Sequence, residues 1–347
     1  MTGTLPFAHN HATRPVGPKN GSKKLDPSVV ATALAKTIAE VQNIVRALEL
    51  NDPAMAFSEV VLGGKAMLGE DLLAEMLTNV KLRAKLHVTP EEYFMHGEES
   101  LAIRKTARDL TAERRPGSLH DAVDGTDLRV LNFGNDCSAA IVVDPTEAPG
   151  ARILTAAIGL PGQAVYYSTR DSDAVWCWKI KGHQLCKKGP SISFRRIAPT
   201  TRLADAIVCC YGQKPASLAA LIGTGFFDRW LAQPNPLGRF HTLAGMPMVP
   251  KMVAPAFGTR PVDVILEIAG QAAHDMAPGA YIALNGGATI LHLDGRPFRI
   301  EEIEEAALHP ASEQFRMKYV MAASQELGEE AVDWLRPSIR LAKVSKS

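Results

Sequence analysis

The chain has 347 residues, 46% of them apolar, enough for two domains or one large layered one around a sizeable core. Its 38 Lys and Arg balance 37 Asp and Glu, which argues against a generic nucleic-acid or membrane-surface binder; short doublets such as Lys187-Lys188 and Arg195-Arg196 read as solvated loop charges. The cysteines, Cys137, Cys177, Cys186, Cys209 and Cys210, are odd in number and show no C-x-x-C spacing, so reduced, mostly buried thiols in a cytoplasmic protein fit better than structural zinc or a disulfide framework.

Residues 1–25 read as a disordered tail. They carry Arg14, Lys19, Lys23 and Lys24 with no acid, but Pro15, Gly17, Pro18 and Gly21 interrupt any amphipathic helix, and no apolar stretch marks a secretory signal. Asp26-Pro27 is a helix start, a capping carboxylate followed by a proline whose missing N–H costs nothing there. Val30, Leu34, Ile38, Val41, Val45 and Leu48 then recur at helical spacing up to Leu50. A second helix is predicted over 68–86. Tyr93-Phe94-Met95 is a short apolar strand leading to Glu98, and 101–114 reads as polar helix or loop.

Strands are predicted over 137–143, 152–160, 163–169, 174–180 and 183–186, separated by Pro161-Gly162, Asp171 to Asp173 and Lys181-Gly182, an antiparallel meander. Trp176 and Trp178 fit a half-exposed face of that meander. A crossover over 190–202 leads to a second half, with a strand at 206–210 and a helix at 215–224. A proline-rich insert runs to Pro255, followed by a helix or strand over 262–268. A helix then runs from Asp275 to Leu284 and stops at Gly286, and a strand spans 288–293 before a turn at Asp294-Gly295. The expected division is 26–195 as an α+β half carrying metal-binding motifs and 196–347 as an α/β half completing the site.

The chemistry concentrates in Asp121-Ala122-Val123-Asp124-Gly125-Thr126, preceded by Gly97-Glu98-Glu99-Ser100 and followed far downstream by His274-Asp275 and Asn285-Gly286-Gly287-Ala288. Two carboxylates three residues apart can chelate a hard cation through oxygen, and a Glu and a later Asp can complete its shell. Small residues after the second Asp leave backbone N–H groups free for a phosphate. Carboxylates without Cys or His clusters point to magnesium, with manganese as substitute, rather than zinc. Singly, each acid has an ordinary reading: Asp275 as a helix cap, Asp124 as a turn residue, Glu98 and Glu99 as solvated loop acids. Only their joint pattern argues otherwise.

These segments, in this order, resemble the inositol monophosphatase-like family, part of the magnesium-dependent, lithium-sensitive phosphatase superfamily that includes fructose-1,6-bisphosphatase. G-E-E-S stands at Gly97 to Ser100, a close relative of D-P-(I/L)-D-G-T at Asp121 to Thr126, and the third signature from Asp275 through Gly287. The resemblance implies a layered αβαβα sandwich of the sugar phosphatase type and a likeness covering roughly Val29 to Phe298. Departures are Ala122 for the usual Pro, Asp127 and Leu128 after the Thr, and His274 for the usual Trp. The family's upstream acidic segment has only Glu70 or Asp71 as a counterpart. They leave open the substrate and the number of metals.

Carried over by position, the resemblance implies that Glu98 and Asp121 share one metal with the Val123 carbonyl, and that Asp121, Asp124 and Asp275 hold another, in a site of two or three magnesium ions. Glu98 and Thr126 would orient and deprotonate the attacking water, with Asp124 also counted among the catalytic groups. Asp124, Gly125, Thr126, Glu267 and Asp275 would bind substrate. The implied activity is a phosphomonoesterase of a small phosphorylated polyol or sugar; a 3′-phosphoadenosine 5′-phosphate nucleotidase and a fructose-1,6-bisphosphatase are alternatives, and a phosphosugar-binding regulator is the non-enzymatic one. A small phosphorylated metabolite and a second copy in a homodimer are the expected partners, with no nucleic acid or membrane.

Overall fold

The computed structural model describes residues 24–62, 65–98, 115–124, 136–181, 184–185, 192–194, 200–210, 215–242, 245–253, 262–309 and 316–336. The expected polar segment at 101–114, and Gly125 and Thr126, lie outside these residues.

Helix α1 (Pro27–Asn51) begins as its sequence dictates: the Asp26 carboxylate accepts the Ser28 and Val29 amides at 2.8 and 3.3 Å. A short α2 (Pro53–Ala56), a hairpin of β1 (Glu59–Leu62) and β2 (Lys65–Leu68), and α3 (Gly69–Leu86) follow. Helix α3 ends where His87 turns left-handed, at φ 53°. The large sheet is then laid down by β3 (Phe94–Gly97), β4 (Gly117–Asp124), β5 (Cys137–Val143), β6 (Ile153–Leu160), β7 (Ala164–Thr169), β8 (Val175–Lys181), β9 (Gln184–Leu185) and β10 (Ile192–Phe194). Its order is β10-β8-β7-β6-β5-β4-β3, with β9 paired to β8; β3 runs parallel to β4 and the other pairs are antiparallel. The predicted meander is present with boundaries shifted by a residue or two.

The smaller sheet, in the order β12-β11-β13-β15-β14, is built from β11 (Ile207–Cys210), β12 (Arg239–His241), β13 (Val264–Gln271), β14 (Thr289–Leu291) and β15 (Met317–Ala322). Between its strands come α4 (Pro215–Gly223), α5 (Phe226–Leu231), α6 (Val249–Val253), α7 (Ala273–Asn285) and α8 (Ile300–Leu308), with α9 (Gln325–Leu335) last. The segment predicted as helix or strand over 262–268 is strand β13.

Three apolar seams stack these elements into five layers. In the first, Val30, Leu34 and Ile38 of α1 and Leu82 and Leu86 of α3 cover Ala140, Val142, Leu154, Ala157 and Val165 on one face of the large sheet. Each such fully buried Leu or Ile contributes roughly 1.5–3 kcal/mol. Gly159 permits the approach, since a Cβ there would stand 2.3 Å from the Ile38 side chain. In the second, Ala277, Ala280 and Ile282 of α7, with Ile303 and Ala307 of α8, fill the space between Ile141 and Ile158 of the large sheet and Cys209, Ile265 and Met321 of the small one. The third packs Leu221, Phe226, Trp230, Leu327 and Trp334 on the far face of the small sheet, against Val208, Val264 and Val320. The result is an αβαβα sandwich. Among the described residues no helix is long and apolar enough to cross a membrane.

Candidate metal centre

Side chains alternate faces along a strand, so Asp121 and Asp124 of β4 would point to opposite sides of a regular ladder. They do not, because the ladder slips: Asp121 pairs with Ala139 but Asp124 with Cys137, three steps on β4 against two on β5. This bulge turns both carboxylates to one side. Within it the Asp121 Oδ1 accepts the Val123 amide at 3.0 Å, and the Val123 side chain is buried against Val41, Val45 and Ala74. A buried polar relay pins the bulge from behind. Gln42 of α1 donates to Ser138 Oγ at 3.1 Å and to the Gly159 carbonyl at 2.7 Å, and Ser138 Oγ donates to the Ala122 carbonyl at 2.6 Å.

Glu98 follows β3 directly, and the parallel register sets Gly97 beside His120, so Glu98 emerges next to Asp121. Asp275 arrives from the other half of the chain, in the first turn of α7. One carboxylate oxygen each from Asp121, Asp124 and Asp275 lies within 4.8 Å of the others. Their electrostatics are dominated by burial and by one another. Burial, then Glu98, Asp124 and Asp275, raise the Asp121 carboxyl well above the usual carboxylate range; burial, then Asp275 and Glu98, push Asp124 up to about 8. Oxygen-only donors, partly buried and repelling one another, suit a hard divalent cation. This buried acidic group is consistent with a metal site.

Near these carboxylates stand Cys137 and Glu75, which motif reading did not single out, and Glu267 and His274, which it did. The Cys137 thiol, kept protonated by burial and by Asp124, contacts Asp124 Oδ2 at 3.6 Å. The Glu75 carboxylate of α3 presses on Gly97, where a Cβ would stand 2.1 Å from it, and is itself buried. Glu70 and Asp71 are buried in the first turn of the same helix. His274, which stands where the resemblance has Trp, brings Nε2 within 3.3 Å of Asp275 Oδ1. Glu267 is buried on β13, and its Oε1 accepts the Ala269 and Gly270 amides, both at 2.8 Å, in the turn leading to α7. Cys137 and Glu75 had no spacing signal; sheet register and helix docking bring them there.

No protein-family model matches the chain, and no curated protein matches it by sequence. Solved structures do match. The extragenic suppressor protein suhB from Bartonella henselae aligns over 90% of this chain and 99% of its own at 14% identity, with a TM-score of 0.57. The fold is that of the inositol monophosphatases. Inositol monophosphatase II of Staphylococcus aureus, solved with inositol monophosphate bound, covers 91% of this chain and 95% of its own at 12% identity and a TM-score of 0.57. CysQ from Bacteroides thetaiotaomicron, a bacterial inositol monophosphatase family member, covers 86% and 97% at 15% identity and a TM-score of 0.55. The staphylococcal enzyme has also been solved with 2′-AMP bound.

Proposed function

We propose that this chain is a magnesium-dependent phosphomonoesterase of a small phosphorylated polyol or sugar. The observation that carries the reading is the convergence of Asp121, Asp124 and Asp275 within 4.8 Å, with Glu98 acting on the first two. These four carboxylates and the Val123 carbonyl are the groups that would hold magnesium, or manganese in its place. Bound there, the metal supplies charge neutralisation of the phosphate, activation of water and stabilisation of the leaving oxygen.

The protein's own part is positioning. Glu98 and Thr126 orient the attacking water and accept its proton. The Gly125 and Thr126 amides hold phosphate oxygens. The bulge of β4, locked by Gln42 and Ser138, sets Asp121 and Asp124 side by side, and α7 carries Asp275 to meet them. Ligands bound to the staphylococcal enzyme, inositol monophosphate and 2′-AMP, support a small phosphate monoester as the substrate class. Assembly as a homodimer belongs to the same proposal and is read by sedimentation.

The test is a phosphate-release screen over inositol phosphates, sugar phosphates and 3′-phosphoadenosine 5′-phosphate, with and without magnesium. Magnesium-dependent release from at least one class is the expected result. Binding without release from any of them would favour a non-catalytic phosphosugar-binding regulator.

A further inference from the structure

The sequence favours magnesium over zinc because its motif carboxylates have no cluster of Cys or His beside them. The fold supplies that company. Cys137 is the cross-strand partner of Asp124, and the slip of the β4 ladder that brings Asp124 beside Asp121 also leaves its carboxylate against this cysteine. The thiol is 1% exposed and feels both Asp124 and Asp121, and its Sγ stands 3.6 Å from Asp124 Oδ2. On α7, His274 Nε2 stands 3.3 Å from Asp275 Oδ1. A sulfur and an imidazole nitrogen therefore adjoin two of the three carboxylates that converge within 4.8 Å.

These spacings have a meaning in metal chemistry. On one tetrahedral zinc ion, a thiolate at about 2.3 Å and a carboxylate oxygen at about 2.1 Å stand about 3.6 Å apart; an imidazole nitrogen and a carboxylate oxygen stand about 3.4 Å apart. Both pairs in this protein already hold such separations. Magnesium takes oxygen ligands and leaves the thiol protonated, as a weak donor to Asp124. A thiophilic ion can take the place of that proton.

Resting on the phosphatase reading, we propose that the centre has a second class of occupant, a thiophilic divalent cation such as zinc, anchored by Cys137 Sγ and the Asp124 carboxylate, with His274 as a further non-oxygen donor beside Asp275. On binding, Cys137 releases its thiol proton to solvent and gives a sulfur electron pair to the metal; nothing is oxidised or reduced. Because both ions need Asp124, one excludes the other, and zinc-class ions displace magnesium and inhibit.

Cobalt(II) is the probe, since a cobalt–thiolate bond gives a near-ultraviolet charge-transfer band that an all-oxygen site lacks. Wild type, Cys137→Ser, Cys137→Ala, His274→Phe and, as a control, Cys209→Ser are titrated with cobalt(II), and release of bound manganese is followed in parallel by electron paramagnetic resonance. Wild type and Cys209→Ser should show the band, saturating as manganese is released. Both Cys137 variants should lose the band and bind cobalt(II) at least about tenfold more weakly, with manganese affinity kept within about twofold. His274→Phe should keep the band and lose about threefold in cobalt(II) affinity; an unchanged affinity there removes His274 from the donor set. No band in wild type at saturating cobalt(II), or a band that survives in the Cys137 variants, would overturn the proposal and leave the magnesium reading standing. Equal losses of manganese and cobalt(II) in the Cys137 variants would reduce Cys137 to a packing residue and overturn it as well. Wild type that binds neither ion would remove the metal centre, and both readings with it.

Discussion

Two groups of acids in this molecule use the same chemistry to opposite ends. At the junction of β4 and α7, Asp121, Asp124 and Asp275 face one another, and burial with mutual repulsion holds Asp121 and Asp124 protonated far above their ordinary range. At the start of α8, burial also opposes ionisation of Glu302, but Arg296 at 2.9 Å, the Arg299 amide at 2.9 Å and His292 at 3.1 Å outweigh it and hold the carboxyl below its usual range. Two residues on, the buried Glu304 accepts the Gly150 and Arg152 amides at 2.7 and 2.6 Å, though burial outweighs them and its carboxyl stays above its usual range. Carboxylates are common to both regions; at Glu302 the partners outweigh burial, and at Asp121 and Asp124 they do not. A folded chain that crowds like charges against one another gives up stability there, and a ligand of opposite charge is the natural reason.

The contrast is broken most sharply by loss of charge. Asp124→Asn should lower kcat by about a thousandfold or more, because it removes one negative charge facing the divalent cation while keeping the volume. Glu302→Gln should leave kcat within about threefold and cost roughly 1 kcal/mol of stability. Steady-state phosphate release and denaturant melts read both, and an Asp124→Asn variant within about tenfold of the parent would show that Asp124 is no ligand. Chelation by EDTA should likewise abolish turnover, with excess magnesium restoring it; full activity in metal-free buffer would remove the metal centre.

Stability against pH sharpens the same contrast. Asp124 titrates at about 8 in the folded chain against an ordinary value of 3.8, so the folded state binds more protons across that window. Stability of the metal-free protein should therefore fall as pH rises from about 4 to 8, where the unfolded chain has already released its proton. Asp124→Asn should raise the metal-free Tm at pH 8, by about 2 °C for each kcal/mol relieved, and flatten this dependence. Glu304→Gln should do the reverse, destabilising by about 1–3 kcal/mol through a lost acceptor for two amides, with kcat unchanged. A metal-free Tm for Asp124→Asn below that of wild type would contradict the account of strain. The smallest expected effect is inhibition by millimolar lithium at limiting magnesium; its absence would indicate that the extra acid Asp127 has tightened the site.

The legible part of the molecule was the part carried by short-range pattern. Asp26-Pro27 announced α1, alternation and Pro-Gly turns announced β5 to β8, and the spacing of Asp121, Asp124 and Asp275 announced an oxygen site. Strand β4 was not legible as a strand, because Asp121-Ala122-Val123-Asp124 is a bulge whose polar residues break the period of two. The β1–β2 hairpin and the elements after Leu293 were also missed. Helix α8 is rich in glutamate, and no Ser, Thr or Asp caps its start; the Glu302 side chain instead reaches back to accept the Arg299 amide. Cys137 and Glu75 carry no motif at all. Their positions depend on a register shift and on a helix pressed against Gly97, which arise only once distant strands pair.

Manganese binding followed by electron paramagnetic resonance tests the central claim most directly, because it reads the metal site without asking for turnover. Titrations of wild type, Asp124→Asn and Glu302→Gln at pH 7.5 should give saturable binding to wild type, weakened by at least about tenfold in Asp124→Asn and unchanged in Glu302→Gln. Equal affinity in wild type and Asp124→Asn, or loss in Glu302→Gln alone, would contradict it.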